Sequence, residues 1–585
     1  MEKLKIVIEN CPNHSYKLVG EGIDEFQEQA LEQANQIYLK CYDRAYKLLM
    51  FKKINSLWAF SLIDKNKIDP RDGFWEVNYF YFNISLINVL KDHFDLQVLD
   101  KTSGRFINKD YFFRYLNQNN VQYKEENISK TNHKKTFKTK LKHSLKNNYK
   151  WLSEKINNYR YLLTSGGAKL NLSNSKRKLF LYIYPVGNMT LSEYLKWRYS
   201  EVLKHYKDSD SEIVLVSTKD FKEADQLDYK FVNINRLLSK KDLLVAFLES
   251  KKIKKKTEER VKNEIARNEL ELEYEFFLKK VPKYYFDTIK EQVGFSKFFI
   301  KYGPGLLLHV GSIVNKGAPI YINSAKKNKS RVLAVAGRIL TSNRLSNLIS
   351  EVQKHNNYPN VLPDSIIVFD GVSEEVIKKQ HSDINIYSTK KGKIEDINVS
   401  RRSVHVSNNH PFRITLALQK KRESREMIEQ VINAIEDQKH IVLNLKMHPN
   451  FPLHEKYIKL YQKHSFINFF SPKISLDKAI VETDVCISAY SSAALEFAKK
   501  YKPIIWLKNI TLDSLFFSDV HNRIGLKARN IKELATIINK LAYNISYYES
   551  VKNEMRSNLK DVVNFEKPHV SESIRDIFDS EFTKI

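Results

Sequence analysis

The chain has 585 residues, of which 42% are hydrophobic and 12% aromatic, and its formal net charge is +29. These proportions are sufficient for two or three cores and exclude a chain that is disordered throughout. The three cysteines have neither CxxC nor metal-ligand spacing, which argues against a disulfide framework and fits a reducing cytoplasm.

The charge favours a polyanionic partner, although lysines that only solvate the surface are the alternative. Nucleic acid, anionic lipid headgroups and an anionic glycan all have the required charge. No KH, RRM or helix-turn-helix signature is present, so we expect no specific nucleic acid. No apolar run approaches a membrane span, and the start M-E-K-L-K lacks a signal-peptide core. We therefore expect a cytoplasmic protein, soluble or peripheral at the inner face of the membrane.

Residues 1–175 are predicted to form an N-terminal region. It opens with a strand, K-L-K-I-V-I-E, and a helix from Ile23 to Tyr42. The run V-N-Y-F-Y-F fits either a buried strand or the start of a helix, because periodicity does not separate the two. Within residues 130–160, dense lysines and apolar residues four apart predict a basic amphipathic helix. Such a helix would bind an anionic membrane surface, and a solvated linker is the alternative.

Residues 176–400 show alternating strands and helices. The strand Leu179–Tyr184, the loop Pro185–Thr190, a helix and the strand Ile213–Ser217 make one βαβ unit of a Rossmann-like domain. The charged stretch 238–292 is predicted to be solvent-exposed helix. Further strands end at Gly337-Arg338 and at Asp370-Gly371. The pair Asp370-Gly371 is typical of a strand-end turn.

Residues 401–545 repeat this alternation, and residues 546–585 are predicted to be a helical tail. Strand Val442–Lys446 precedes Met447-His448-Pro449-Asn450. Strand Val485–Ser488 precedes Ser491-Ser492 and a helix from Ala493 to Tyr501. Carboxyl ends of parallel strands share one edge of the sheet, where ligands bind. Serine hydroxyls, helix-start N–H groups and a histidine there suit a phosphate, although either serine would also serve as a helix N-cap.

The segments H-P-N and D-V-C-I-S-A-Y-S-S-A-A-L-E-F-A resemble the C-terminal half of GT-B glycosyltransferases that build bacterial surface polysaccharides. That group includes bacterial sialyltransferases and Kdo transferases, with their HP and SS motifs, and the glycerol-phosphate polymerases of teichoic acid synthesis. The resemblance is good over residues 400–545 and weak in the middle of the chain. It implies an α/β fold with two Rossmann-like domains facing a cleft, and an additional N-terminal region.

The resemblance also implies a metal-independent transferase without a cofactor, acting in capsule or lipopolysaccharide biosynthesis. It would move a sugar from a nucleotide-activated donor to a glycan or lipid-linked acceptor. CMP-linked donors fit the motif pair best, while UDP- and GDP-linked donors remain open. A CDP-glycerol-type polyol-phosphate transferase and a non-catalytic GT-B-like scaffold that binds nucleotide or polyanion are the alternatives.

Site roles follow from the same resemblance. His448 and Asp370 would be catalytic, with Asp370 as the general base unless it only forms the strand-end turn. Phe369 stands where related sialyltransferases carry the first acid of a pair. Donor binding is assigned to His448, Pro449, Ser488, Ser491, Ser492 and Glu496.

Overall fold

The computed structural model contains three β-sheets, each in a separate part of the chain. The predicted basic helix 130–160, most of the loop 185–190 and Pro449 lie outside the described residues. The structure describes residues 2–10, 16–19, 23–27, 29–37, 40, 74–100, 109–125, 177–183, 190–206, 211–221, 223–265, 285–311, 318–337, 339–340, 362–390, 406, 410–419, 421–448, 452–472, 474–508, 517–564 and 567–585.

The N-terminal sheet has the strand order β2-β1-β3-β4, with β1 antiparallel to β2 and the other pairs parallel. Its elements are β1 Glu2–Asn10, β2 Tyr16–Val19, α1 Phe74–Lys91, β3 Phe94–Asp100, α2 Lys109–Gln118 and β4 Gln122–Glu125. The helix predicted from Ile23 appears as a 3-10 turn, Ile23–Phe26, and helical residues 29–37.

Helix α1 settles the open question about V-N-Y-F-Y-F, because this run lies within its first half. In its second half, consecutive residues such as Ile84, Ser85, Leu86 and Ile87 are all buried. A helix buried on every side has no amphipathic period, and this explains why the pattern did not separate helix from strand.

The first Rossmann sheet has seven parallel strands in the order β11-β10-β9-β8-β5-β6-β7. The chain runs from β5 outward through β6 to the edge strand β7, then returns to β8 on the other side of β5. The strands are β5 Arg177–Ile183, β6 Ser211–Ser217, β7 Lys230–Asn233, β8 Leu306–Gly311, β9 Arg331–Ala336, β10 Ser365–Val368 and β11 Asn385–Ser388. The helices are α3 Leu191–Tyr206, α4 Lys240–Ile265, α5 Tyr285–Tyr302, α6 Ala318–Lys327 and α7 Gly371–Gln380.

The stretch 238–292 was predicted to be exposed helix throughout, and this is wrong at its C-terminal end. Helix α5 begins at Tyr285, which is 1% exposed. Further along α5, Phe298 and Phe299 pack edge-on against Phe180 of β5, with ring centroids 5.1 and 5.7 Å apart. An aromatic face that covers one side of the sheet is buried despite the charges near its start.

The second Rossmann sheet has six parallel strands in the order β14-β13-β12-β15-β16-β17. The strands are β12 Phe412–Ala417, β13 Ile441–Lys446, β14 Ile467–Phe470, β15 Val485–Ser488, β16 Ile504–Leu507 and β17 Leu526–Ala528. The helices are α8 Lys421–Ile435, α9 Glu455–Tyr461, α10 Leu476–Val481, α11 Ala493–Lys499, α12 Ser518–His521 and α13 Ile531–Tyr543. Strands β15 and β16 are buried along their whole length, as expected where helices cover both faces.

Two final helices, α14 Ile545–Leu559 and α15 Val570–Phe582, connect the two Rossmann sheets. Helix α14 contributes to the core of the second sheet, whereas α15 packs on the first. Near the end of α15, the fully buried Glu581 accepts hydrogen bonds from Arg331, Ser365 and Tyr387, each at 2.8 Å. The predicted fold class, α/β with two Rossmann-like domains and an additional N-terminal region, is confirmed.

Candidate functional site

The second Rossmann sheet reverses its strand order between β12 and β15. These two strands are neighbours, yet the chain passes through β13 and β14 on one side before it reaches β15. Loops that leave the carboxyl ends of two such strands run in opposite directions and open a crevice, which is the common ligand position in doubly wound sheets. His448 follows β13 and Ser491 follows β15. Both residues therefore lie at the carboxyl edge of this sheet, on either side of β12.

Ser488, the last residue of β15, joins the two loops that border the crevice. It is fully buried, and its Oγ accepts hydrogen bonds from Gln419 Nε2 and from the Ser491 N–H, each at 3.2 Å. Gln419 is held in turn by Ser424, whose hydroxyl bonds both the N–H and the carbonyl of Gln419 at 3.0 Å. The Ser488 hydroxyl thus fixes the crevice wall.

Ser491 and Ser492 differ in the bonds that their hydroxyls make. Ser491 Oγ accepts a hydrogen bond from the Ala493 N–H at 3.2 Å. Ser492 occupies the N-cap position of α11, but its side chain makes no capping bond and is exposed. The capping alternative therefore applies to Ser491, while the Ser492 hydroxyl does not cap the helix.

Two basic side chains lie at the end of β13. Lys446 is 9% exposed, and its Nζ donates to the carbonyls of Met447 and Ser471 at 3.3 and 3.4 Å. Burial lowers the pKa of Lys446. His448, two residues later, is half-buried. A lysine and a histidine at one strand end provide donors for an anion.

A second basic pair, which the sequence analysis missed, follows β16. Lys508 is the first residue after the strand and is 8% exposed. His521, in α12, is fully buried and packs against the Trp506 indole, with ring centroids 4.5 Å apart. Burial lowers the pKa of His521 well below its ordinary value, Lys508 and Lys527 lower it further, and the Ala489 carbonyl acts in the opposite direction.

Glu496 lies on α11, one turn after the serines. Its carboxylate pairs with Lys499 at 2.9 Å, and its side chain is 47% exposed. A half-exposed ion pair of this kind contributes at most about 1 kcal/mol to stability, so Glu496 is under little structural constraint. The position is compatible with the predicted contact to a donor.

Asp370 belongs to the first Rossmann sheet, where it follows β10 and caps α7. Its two carboxylate oxygens accept hydrogen bonds from Ser373, from the N–H at 2.7 Å and from the hydroxyl at 2.8 Å. Burial raises the pKa of Asp370 to about 6, although Ser373, Lys499 and Arg523 all favour the anion. The geometry matches the turn-and-cap alternative. Lys499 and Arg523 belong to the second Rossmann sheet, so this carboxylate faces the other domain.

No group of three or more His, Cys, Asp or Glu residues within the described ranges is arranged to hold a metal ion. Of the helices that the structure describes, none is long and apolar enough to cross a membrane.

Solved structures with a similar chain path share little sequence with this protein. The glycosyltransferase from Rickettsia africae ESF-5 aligns at a TM-score of 0.39 and 12% identity, over 70% of this chain and 99% of that one. Anabaena Alr3699/HepE in complex with UDP aligns at a TM-score of 0.39 and 12% identity, over 69% of this chain and 100% of that one. The S. aureus MnaA–UDP structure aligns at a TM-score of 0.39 and 13% identity, over 70% of this chain and 98% of that one. Likenesses at this level assign no ligand and no residue role.

Sequence comparison finds one family that matches part of the chain. Among curated proteins, none matches this chain. The model of one family, described as CDP-Glycerol:Poly(glycerophosphate) glycerophosphotransferase, matches residues 413–574. This segment runs from the first strand of the second Rossmann sheet to the first turn of α15, and it contains His448, Ser488, Ser491 and Ser492. The match covers less than a third of the chain, and over residues 413–574 the protein is similar to a CDP-glycerol glycerophosphotransferase domain.

Proposed function

We propose that the chain is a transferase that uses a nucleotide-activated donor, binds the donor phosphate at the carboxyl edge of the second Rossmann sheet, and builds a cell-surface glycan. One observation carries the proposal: His448 and Ser491 follow β13 and β15, which flank β12. Strands lie about 4.8 Å apart, so β13 and β15 are separated by about 10 Å. Two side chains reaching inward from these positions leave room for one phosphate group.

The donor is proposed to be a cytidine nucleotide. The family match to residues 413–574 supports a CDP-linked polyol such as CDP-glycerol, and the H-P and S-S pair supports a CMP-linked sugar. These two donors share a leaving group. In the first case the acceptor hydroxyl attacks the β-phosphorus, and the bond from that phosphorus to the bridging oxygen breaks. In the second case the hydroxyl attacks the anomeric carbon, and its bond to the phosphate oxygen breaks. CMP departs with the electron pair in both.

The chain's own groups would stabilise that departing CMP. Negative charge grows on its phosphate as the bond breaks, so a donor that is already in place binds the transition state more strongly than the ground state. His448 supplies this donor, and the Ser492 hydroxyl adds a second one. The nearby Lys446 ammonium raises the local positive potential. The proposed chemistry requires no metal or cofactor, and a general base accepts the proton of the acceptor hydroxyl.

Release of free nucleotide from a donor panel tests the proposal. The purified chain would be incubated with CDP-glycerol, a CMP-linked sugar, a UDP-linked sugar and a GDP-linked sugar, each with and without a glycan acceptor, and the nucleotides separated chromatographically. We expect acceptor-dependent release of CMP. Release of UDP or GDP would overturn the cytidine assignment. Nucleotide binding without turnover of any donor would instead support the non-catalytic scaffold.

A further inference from the structure

Helix α4 has one buried face. Ala246, Ser250, Ile253 and Thr257 are 1%, 8%, 5% and 2% exposed, and they recur at the three- and four-residue intervals of a helical face. Thr257 accepts a hydrogen bond from the Tyr285 hydroxyl of α5 at 2.7 Å. This face is therefore already occupied by protein.

The opposite face of α4 begins with large apolar side chains in water. Leu244, Val245, Phe247 and Leu248 are 57%, 47%, 38% and 56% exposed. Phe247 lies to one side, where its ring is 6.4 Å from that of Phe286 in α5 and the Lys251 ammonium covers it. Single exposed apolar residues are normal, whereas three within five positions indicate a contact surface. At about 100° per residue, Leu244, Val245 and Leu248 project to the side away from the buried face.

Lysines continue the same face towards the end of the helix. Residues 251–256 contain five of them, and all five are exposed. At the same angular step, Lys251, Lys252 and Lys255 lie on the side of Leu244 and Leu248. The apolar and cationic parts together cover 13 residues, or about 20 Å of helix length. We call the surface formed by Leu244, Val245, Leu248, Lys251, Lys252 and Lys255 the α4 face.

The patch sits on a fixed helix end. Ser239 and Asp242 form reciprocal capping bonds, with the Ser239 N–H donating to Asp242 at 2.6 Å and the Asp242 N–H donating to Ser239 at 3.2 Å. Asp242 also pairs with Lys297 of α5. These contacts fix the first turn of α4, so Leu244 and Leu248 are displayed on an ordered surface.

We propose that the α4 face binds the surface of an anionic lipid bilayer. A helix with an apolar stretch and lysines on one side lies in the membrane interface, where apolar side chains enter the acyl boundary and cations contact headgroups. A second protein copy fits less well, because a stable protein interface takes about 20–30 residues on each side and has few lysines at its core. The proposal adds a docking surface that is separate from the nucleotide site and does not depend on it.

Co-sedimentation of the full chain with vesicles tests the proposal. The vesicles would be phosphatidylcholine alone or phosphatidylcholine mixed with phosphatidylglycerol. We expect the mixed vesicles to bind the wild type more tightly, and added salt to weaken this binding. The variant Leu244→Gln/Leu248→Gln should lose about tenfold or more in partitioning. The variant Lys251→Gln/Lys252→Gln/Lys255→Gln should lose about fivefold for each lysine near the surface.

Matched variants on other surfaces provide the controls. Leu460→Gln/Val481→Gln makes the same kind of apolar-to-polar change at residues that are 43% and 57% exposed. Lys327→Gln/Lys439→Gln/Lys463→Gln removes three exposed lysines outside α4. Both controls should bind vesicles like the wild type, and all four variants should melt at the wild-type temperature, because none of these side chains is buried.

Three outcomes would overturn the proposal. One is wild-type binding by both α4 variants. Another is equal loss in the α4 variants and their controls, which would reflect overall charge or hydrophobicity. The third is a dimer, measured by sedimentation velocity, that the Leu244→Gln/Leu248→Gln change abolishes while vesicle binding persists. None of these outcomes bears on nucleotide release in solution, so failure here is distinguishable from failure of the proposed function.

Discussion

The substitution Asp370→Asn tests whether the Asp370 carboxylate is a buried helix cap or a catalytic general base. Burial raises the pKa of Asp370 to about 6 even though Ser373, Lys499 and Arg523 favour the charged form. Asparagine caps a helix about as well as aspartate, and its side-chain oxygen can still accept the Ser373 N–H. The substitution therefore removes the titration while α7 keeps its cap.

The sign of the pH effect follows from the direction of the shift. Because the folded-state pKa lies above the ordinary 3.8, the stability contributed by the neutral carboxyl is fully present below pH 3.8 and is lost as the pH rises through about 6. A shift of about two units corresponds to about 3 kcal/mol, and roughly half of this falls between pH 5 and pH 8. As the pH rises from 5 to 8, the free energy of unfolding of Asp370→Asn should therefore increase by about 1.5 kcal/mol relative to that of the wild type.

Urea unfolding at a series of pH values measures this difference. The change with pH is the readout, because a constant offset from the altered Ser373 hydroxyl bond cancels. Asp383→Asn, at an exposed turn after the same helix, controls for the loss of one negative charge. A difference between variant and wild type that stays constant from pH 5 to pH 8 would refute the burial argument. A fall in turnover of about 100-fold or more with this stability pattern absent would support the general-base role instead.

Three further predictions concern the site and the tail. His448→Ala should lower kcat for CMP release by about 10²–10³-fold with little change in melting temperature; an equal loss of stability and rate would indicate a structural histidine. Ser491→Ala should cost about 1 kcal/mol of stability, because it removes the bond to the Ala493 N–H. Ser492→Ala should leave the melting temperature unchanged and weaken CMP binding by about fivefold. Thermal shift measures the stability of each variant, and calorimetry measures its affinity for CMP. Burial alone would raise the pKa of Glu581, but hydrogen bonds from Arg331 and Lys584 hold it below its ordinary value. Glu581→Gln should therefore lower the free energy of unfolding by about 1.5–3 kcal/mol at pH 7. This loss should shrink as the pH falls through the folded-state pKa. Asp579→Asn, which breaks a half-exposed pair with Arg177, is the control on the same helix and should cost at most about 1 kcal/mol.

Much of the second Rossmann sheet was predictable because its strands are short apolar runs with clear boundaries. The bounds predicted for β15 and β16 agree with the structure, and those for β13 differ by one residue. Helix ends were less accurate: α11 ends at Lys499 rather than Tyr501. Tyr501 has a positive φ of 54°, so the chain has left the helix there.

The N-terminal sheet was largely missed, although part of its signal was present. Strand β3 alternates, with Leu96 and Val98 buried and Asp95 and Gln97 exposed, and this two-residue period is detectable. Strand β4, Q-Y-K-E, has no such pattern. It exists because β3 offers a free edge for parallel pairing, which is a tertiary effect that no local propensity reveals.

In the candidate site, too, the features set by local sequence were predictable and those set by contacts between distant residues were not. The loops at His448 and Ser491 could be placed at strand ends from local pattern alone. The bond from Gln419 to Ser488 joins residues 69 positions apart, and it forms because β12 and β15 are neighbours. His521 lies in S-D-V-H, a segment with no apolar period, and its ring is buried against Trp506 and Phe517. Sequence therefore located the edge of the site, while strand order determined which side chains complete it.

Strand order also explains why the proposed phosphate site would lie between residues from distant parts of the chain. If β15 followed β13 directly in the sheet, the loops after them would be about 5 Å apart and would fill the space themselves. Inserting β12 doubles that separation, and the Gln419 amide, which follows β12, holds Ser488. The feature that makes room for a ligand is thus the same reversal of strand order that fixes Ser488. A substitution at Gln419 should consequently disturb the position of the serine loop and the binding of CMP together, whereas one at the exposed Ser492 should affect binding alone.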